Sequence, residues 1–225
     1  MGQHGTMFGR VSVPQRDAPG VPVFNAMPPA VLLLGGAILA IAALGYVSPE
    51  IERWVFDAGV VIAAEPGTPL PPQPLGHLAP YLLHVFLHFG LLHLVMNMAV
   101  LVGAGRPVGL AFGTGLRGSL GFLVLFFACS AAGAAFSVFL HSGEPTSMGG
   151  ASTGASGLLA AVGWVLGGWR GMLRLALPWI GFNLLLALTG MAIPIPIGWA
   201  AHIGGTLAGA VLTPVFLGVF AETRP

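Results

Sequence analysis

Long apolar runs, separated by short stretches rich in glycine, proline and arginine, make up most of the chain. A helix that crosses a bilayer needs about 20 mostly apolar residues. The second run is short unless the apolar sequence of residues 81–89 extends it backwards. Six runs are candidates: residues 28–47, 91–105, 118–141, 150–169, 173–193 and 199–220. The pattern predicts an all-α membrane protein in which six transmembrane helices form one bundle.

The sequence outside these runs leaves no room for a separate soluble domain. Residues 1–27 contain no apolar segment of the kind that a signal peptide needs, so we expect a cytoplasmic N-terminal tail. Residues 28–220 then form the membrane domain, and the proline-rich residues 48–80 form its first extracytoplasmic loop. Residues 221–225 form a short cytoplasmic tail.

The composition also favours lipid as the main solvent. Hydrophobic residues make up 56% of the chain, charged residues make up 7%, and the mean hydropathy is +0.90. Soluble domains carry about 25% charged residues, so the lipid bilayer is the expected partner of most of the surface. A net charge of +1 without a basic stripe excludes a nucleic-acid partner.

The arginines indicate how the helices are oriented, and the chain has no lysine. Loops rich in arginine and lysine face the cytoplasm. With six helices, only Arg53 falls on the opposite side from the other arginines, which are Arg10, Arg16, Arg106, Arg117, Arg170, Arg174 and Arg224. Both termini are therefore expected in the cytoplasm, and the arginine-only loops favour a bacterial inner membrane.

Three groups of polar residues interrupt the apolar runs, and polar side chains inside a membrane usually serve a function. The first group contains His84, His88, His93 and Asn97. His93 and Asn97 are four residues apart and share a helix face. Two donors in a dry setting suit a developing oxyanion, and hydrogen bonds between helices are the alternative explanation.

The other two groups open the fourth and sixth predicted helices. In the fourth helix, Ser152 and Ser156 follow Gly150 and are the candidate nucleophiles. Small residues taken alone favour close helix packing, and a serine can also cap a helix. His202 and Gly205 open the sixth helix. This histidine can accept a serine proton if glycine lets the helices approach, whereas a lone histidine would more often be a packing residue.

The predicted topology places the starts of the second, fourth and sixth helices on the non-cytoplasmic side. A nucleophile, a base and oxyanion donors can then meet at one depth, as acyl transfer requires. The predicted helices contain no Asp or Glu, which excludes aspartyl chemistry and a His-Glu-x-x-His zinc site and leaves a Ser/His dyad. His84 and His88 could hold a metal only with a third ligand.

These motifs resemble those of the rhomboid family of intramembrane proteases, in the family's order and over residues 81–209. His88, His93 and Asn97 resemble its second-helix motif, His-x4-His-x3-Asn. The start of the fourth predicted helix resembles the family's Gly-x-Ser motif. The sequence Ala-His-Ile-Gly-Gly at residues 201–205 resembles its sixth-helix Ala-His-x-Gly-Gly motif.

The resemblance implies a serine endopeptidase that hydrolyses peptide bonds in or near the transmembrane segments of other membrane proteins. It implies no metal and no other cofactor. Ser152 and His202 would form the catalytic dyad. The oxyanion would be bound by His93, Asn97 and the backbone N–H of the serine. Three further residues are expected to support the site: His88, Gly150 and Gly205.

Two serines match the nucleophile motif. Ser156 lies in the fuller Gly-x-Ser-Gly string, but the family's serine is usually followed five positions later by a small residue and two apolar ones. Counting from Ser152 gives Gly-Leu-Leu, and counting from Ser156 gives Ala-Val-Gly. We therefore favour Ser152, with Ser156 as the alternative nucleophile.

Two other functions remain open. A catalytically inactive rhomboid-like protein that binds membrane clients would typically lack the serine or the histidine, and both are present here. A small transporter or channel would carry ionisable residues along a pore or broken helices at the midplane. Pro194 and Pro196 do interrupt apolar sequence, but near a membrane surface, where they more simply shape the loop before His202.

Overall fold

The computed structural model describes residues 27–189 and 198–222. Within them the chain forms seven α-helices and two strands, with a 3-10 turn after the third helix. These are α1 (Pro29–Val47), α2 (Pro49–Gly59), β1 (Val61–Ala63), α3 (Pro80–Leu83), α4 (Leu91–Phe112), α5 (Leu116–Phe139), β2 (Thr146–Met148), α6 (Ser152–Thr189) and α7 (Trp199–Phe220). Five of these helices are long and apolar enough to cross a membrane: α1, α4, α5, α6 and α7. A mostly helical membrane protein is confirmed.

The second predicted helix begins at the observed residue, Leu91, but its predicted end is wrong. The apolar run does not extend backwards through residues 81–89, because Gly90 adopts a φ of +116° that ends any helix there. Instead α4 continues forward through Pro107 to Phe112 and stops at Gly113, whose φ is +106°. A proline inside a membrane helix is tolerated because neighbouring helices and small local adjustments satisfy the freed carbonyl.

The first predicted loop is more structured than expected, and the fold is not purely helical. Ser48 begins α2 by accepting a hydrogen bond from the Ile51 N–H (3.4 Å), and Pro49 suits the first helical position. After α2, β1 pairs antiparallel with β2, with Val61 opposite Met148. Strand pairing between distant segments leaves little trace in a three-residue sequence. It ties residues 48–80 to the segment that leads into α6.

The fourth long helix, α6, is broken in its middle. Gly167 and Gly168 have non-helical backbone angles, and Gly168 has a φ of +59°. Beyond the break the chain folds back on itself. The closeness of the two segments shows this, since a Cβ added to Gly163 would lie 2.5 Å from the carbonyl oxygen of Gly171. Residues 152–166 and 169–189 are therefore two helical segments packed side by side.

Glycines let α7 approach α5 and α6 closely. Gly205 has the backbone of Thr153 against it, and Gly209 has the backbone of Gly157 against it, so that a Cβ at either position would overlap a carbonyl oxygen. Gly133 on α5 meets the Ala201 carbonyl oxygen in the same way. Contacts of this type are common between membrane helices, where small residues allow close backbone packing. They place the first turns of α6 and α7 side by side.

The apolar side chains divide into a packed interior and an outer surface. Phe112, Phe122 and Phe126 are fully buried with aliphatic side chains from α1, α4 and α6. Many other large apolar side chains point outward from the long helices, including Leu33 and Val211. An outer surface of this kind is unfavourable in water and suits the hydrocarbon of a bilayer.

Some predicted features lie outside the described residues. These are residues 1–26 of the predicted N-terminal tail with Arg10 and Arg16, the end of the fifth predicted helix with Pro194 and Pro196 after it, and Arg224 in the C-terminal tail. The bounds of α7 coincide with the sixth prediction, residues 199–220. The bounds of α1 and α5 lie within two residues of the first and third predictions.

Candidate active site

Ser152 and His202 contact each other at the starts of α6 and α7. The Ser152 Oγ lies 2.9 Å from the His202 Nε2, across 50 residues of sequence. Ser152 is the first residue of α6 and follows Gly150, whose φ of +126° and backbone hydrogen bond to the His84 carbonyl (2.7 Å) turn the chain into the helix. His202 lies in the first turn of α7 and is 9% exposed. A hydroxyl and an imidazole therefore share a hydrogen bond in a largely enclosed position.

The other nitrogen of His202 also has a partner. Its Nδ1 lies 2.9 Å from the Oδ1 of Asn183, in the second segment of α6. The Asn183 Nδ2 donates to the Trp179 carbonyl oxygen (2.9 Å), which fixes the orientation of the amide. The Trp179 ring lies beside the imidazole, with ring centroids 5.7 Å apart. Residues 169–189 therefore hold one side of His202.

Ser156 lies one helical turn beyond Ser152 and does not contact His202. Its hydroxyl donates to the Ser152 carbonyl oxygen (2.7 Å) and accepts from the Trp179 Nε1 (3.1 Å). The residue is 1% exposed. The Ser156 hydroxyl thus joins the two segments of α6.

His93 faces the start of α6 from α4. A Cβ on Gly150 would lie 2.9 Å from the His93 Nε2 and 3.7 Å from the Ser152 Oγ, so the imidazole and the hydroxyl flank the same glycine. The Phe89 backbone N–H donates to the His93 Nδ1 (3.2 Å). Because that nitrogen accepts, a neutral His93 carries its proton on Nε2, on the side of Ser152.

Asn97 is buried one turn along α4 from His93. Its Nδ2 donates to the His93 carbonyl oxygen (2.8 Å), and its Oδ1 is buried without a hydrogen-bond partner among the described residues. An amide nitrogen carries two N–H groups, so one remains for a ligand. Part of the Asn97 amide therefore already holds the backbone of α4.

His84 and His88 precede α4 and differ in their surroundings. The fully buried His84 donates from Nδ1 to the Pro80 carbonyl oxygen (2.9 Å). Burial lowers the pKa of His84 to about 4, so its ring is neutral at pH 7. The His88 ring lies against His93, with ring centroids 5.2 Å apart. In residues 27–189 and 198–222, no group of three or more His, Cys, Asp or Glu side chains could hold a metal ion.

In a comparison with protein-family models, residues 75–219 match the Rhomboid domain. The match covers more than half of the chain, from the end of the first loop almost to the end of α7. The chain belongs to the rhomboid family. A search of curated proteins finds no match to it. Rhomboid proteins are generally intramembrane serine proteases that act on transmembrane substrates in a bilayer.

Two residues that contact the candidate site were missed by sequence reasoning. Asn183 and Trp179 belong to no recognised motif, and they follow the break in α6, so their rotation about the helix axis could not be read from the sequence. One signal was available: Asn183 is a lone amide in an otherwise apolar run. A buried amide in a membrane helix needs a partner, and His202 is that partner here.

Proposed function

We propose that this rhomboid protein is an active serine endopeptidase that hydrolyses peptide bonds in or near the transmembrane segments of other membrane proteins. Ser152 is the nucleophile and His202 is the general base. The observation that carries the proposal is the 2.9 Å hydrogen bond between the Ser152 Oγ and the His202 Nε2. A base within hydrogen-bond reach of a hydroxyl is the arrangement that activates a serine.

The surroundings of the two serines favour Ser152 over Ser156. The Ser156 hydroxyl already donates to the Ser152 carbonyl oxygen and accepts from the Trp179 Nε1–H, and neither partner is a base that could take its proton. It is also nearly inaccessible, at 1% exposure. A nucleophile must reach a carbonyl carbon, and its proton must have an acceptor. Only Ser152 meets both conditions.

His93 and Asn97 are proposed to bind the oxyanion together with the Ser152 backbone N–H. His93 presents an Nε2–H on the side of Ser152, since its Nδ1 accepts from the Phe89 N–H. Ser152 is the first residue of α6, so the helix itself does not use its N–H. Donors aimed at a developing negative charge in a dry site lower the barrier of acyl transfer by several kcal/mol.

In the proposed reaction, the Ser152 oxygen attacks the scissile carbonyl carbon while His202 takes the hydroxyl proton. The carbon–nitrogen bond then breaks, and His202 delivers that proton to the leaving amine. Water hydrolyses the acyl-enzyme with the same base and regenerates Ser152. The substrate helix must unwind locally first, because helical carbonyls are hydrogen-bonded and shielded. No metal or cofactor takes part.

We further propose six spans in residues 28–220, with residues 48–80 outside the cytoplasm and both termini inside it, in a bacterial inner membrane. The 38-residue α6 supports this count. A straight helix of that length would measure about 57 Å, against a hydrocarbon core of about 30 Å. Two spans joined at Gly167 and Gly168 fit the bilayer instead. The described arginines other than Arg53 then lie on one side, as cytoplasmic loops require.

The alternative is an inactive rhomboid-like protein that binds membrane clients without cutting them. A fluorophosphonate probe separates the two, because only an activated hydroxyl reacts with it. The full chain is reconstituted in proteoliposomes with a substrate that has a single transmembrane segment. We expect the wild type to cleave and to label, and Ser152→Ala to do neither.

Ser156→Ala is the matched control, because it removes a hydroxyl one turn away. It should keep cleavage within about tenfold, the effect of losing a hydrogen bond worth about 1 kcal/mol. Cleavage by Ser152→Ala at the wild-type rate would overturn the assignment. Client binding by a wild-type protein that never labels would favour the inactive alternative.

A further inference from the structure

We propose that Asn183 is a positioning residue that sets the protonation pattern of His202 and so prepares the Ser152–His202 dyad for proton transfer. This inference rests on the proposed function. It concerns a residue of the second segment of α6, whereas Ser152 begins the first segment and His202 lies on α7.

The hydrogen bonds around Asn183 determine which nitrogen of His202 carries the proton. The Asn183 Nδ2 faces the Trp179 carbonyl oxygen at 2.9 Å and can only donate to it. The amide oxygen is therefore the atom that faces the His202 Nδ1 at 2.9 Å, and an amide oxygen can only accept. Hence the Nδ1 carries the hydrogen.

A neutral imidazole has one N–H, so the Nε2 of His202 has a free lone pair. That lone pair faces the Ser152 hydroxyl at 2.9 Å. This is the tautomer that a general base needs. In the other tautomer both the Nδ1 and the Asn183 oxygen would be acceptors facing each other, and the Nε2–H would point at Ser152 without taking its proton. Asn183 makes that tautomer unfavourable.

The amide is suited to both protonation states that the base passes through. When His202 takes the Ser152 proton, both of its nitrogens become donors, and the Asn183 oxygen remains a correct acceptor. Asn183 is fully buried, and the described membrane-spanning helices contain no Asp or Glu that could take this place. A neutral acceptor provides the orientation without burying a permanent charge in an apolar region.

A purely structural role for Asn183 would be to tie residues 169–189 to α7. That role predicts a different effect on the two kinetic constants. Asn183→Leu keeps the approximate volume and removes the acceptor. Asn183→Asp keeps the acceptor for the His202 Nδ1, loses the donor to the Trp179 carbonyl and buries a charge. For helix tethering alone, Leu would displace residues 169–189 and raise KM as well as lower kcat. For orienting His202, Leu would lower kcat alone, and Asp would be clearly faster than Leu.

The test measures kcat and KM for cleavage of a substrate with a single transmembrane segment by full-length protein in proteoliposomes, together with the rate of fluorophosphonate labelling. We expect Asn183→Leu to lower kcat by about 10²- to 10⁴-fold, the range for loss of the partner that orients a catalytic histidine. KM should stay within about threefold, since substrate binding is unaffected. Asn183→Asp should recover at least about tenfold of the lost kcat.

Thr213→Val is the matched control. Thr213 is also buried and lies on α7 with His202, and among the described residues its hydroxyl bonds only the Gly209 carbonyl oxygen. This variant should keep the wild-type kcat. Full activity in Asn183→Leu, or an Asn183→Asp variant no faster than Asn183→Leu, overturns the inference alone. A wild type that neither cleaves nor labels overturns the proposed function and this inference with it.

Discussion

Gly209 on α7 packs directly against the backbone of Gly157 on α6. A Cβ added to Gly209 would overlap the Gly157 carbonyl oxygen, which cannot move without moving its helix. The contact lies two turns below His202 on α7. It fixes how deeply α7 sits against α6, and hence whether the His202 imidazole reaches the Ser152 hydroxyl.

Gly209→Ala should therefore lower both stability and activity. Alanine raises helix propensity by about 1 kcal/mol, but forcing a methyl group into a closed contact costs about 1–3 kcal/mol. We expect net destabilisation in unfolding experiments in mixed detergent micelles, with slower cleavage.

Gly218→Ala is the control for Gly209→Ala on the same helix, because nothing lies within 4 Å of a Cβ at Gly218. It should be as stable as the wild type or slightly more stable, with unchanged cleavage. Equal effects of the two substitutions would show that the α6–α7 contact does not set the site.

A second prediction concerns Gly150, which separates His93 from Ser152. A Cβ there would lie 2.7 Å from the His93 Cε1, and the φ of +126° is unfavourable for any other residue. Gly150→Ala should lower the cleavage rate by about 10²-fold, the effect of misplacing a catalytic group by about 1 Å. Cleavage in proteoliposomes measures it.

Backbone strain alone must be separated from displacement of His93. Gly143→Ala provides that comparison, since Gly143 has a φ of +93° but open space around its Cβ position. We expect Gly143→Ala to keep most of its activity. If both variants lose activity equally, the loss comes from strain in the backbone and the role of Gly150 beside His93 is wrong.

The features that follow from local sequence were predictable. The apolar run of residues 199–220 has the bounds of α7, because an apolar run of about 20 residues by itself predicts a spanning helix. The start of α4 at Leu91 agrees with the predicted run, whereas its end at Phe112 lies beyond the predicted residue 105, because neighbouring membrane helices tolerate Pro107 inside the helix.

The closeness of the motif residues in the candidate site was predictable from the sequence. Ser152, His202 and His93 stand near one another because each begins or nearly begins a long helix, and helix starts meet at one level. Asn183 and Trp179 could not be placed, because the break at Gly167 and Gly168 sets the rotation of the following segment. The pairing of β1 with β2 was equally hidden, since it depends on contacts between segments over 80 residues apart.

The last prediction concerns Glu222, which follows α7 and caps the start of α5, over 100 residues earlier in the sequence. Its carboxylate accepts from the Gly118 N–H (3.0 Å) and the Gly115 N–H (2.9 Å), at a helix start that has no side-chain cap from its own sequence. These hydrogen bonds, first that of Gly118, and the nearby Arg117 lower the pKa of Glu222 below its ordinary value. Folding therefore favours the charged form of the Glu222 carboxyl.

Because the folded-state pKa is lowered, the stabilising effect is complete above the unfolded carboxyl pKa of about 4.3 and is lost as the pH falls through the folded-state pKa. Glu222→Gln leaves one N–H without an acceptor, since the amide nitrogen cannot accept. We expect a lower Tm than the wild type at pH 7, with the difference narrowing as the pH falls below about 4. Glu144→Gln, in an exposed loop, should match the wild type throughout. A Tm difference for Glu222→Gln that does not change with pH would mean that the charge of Glu222 does not cap α5.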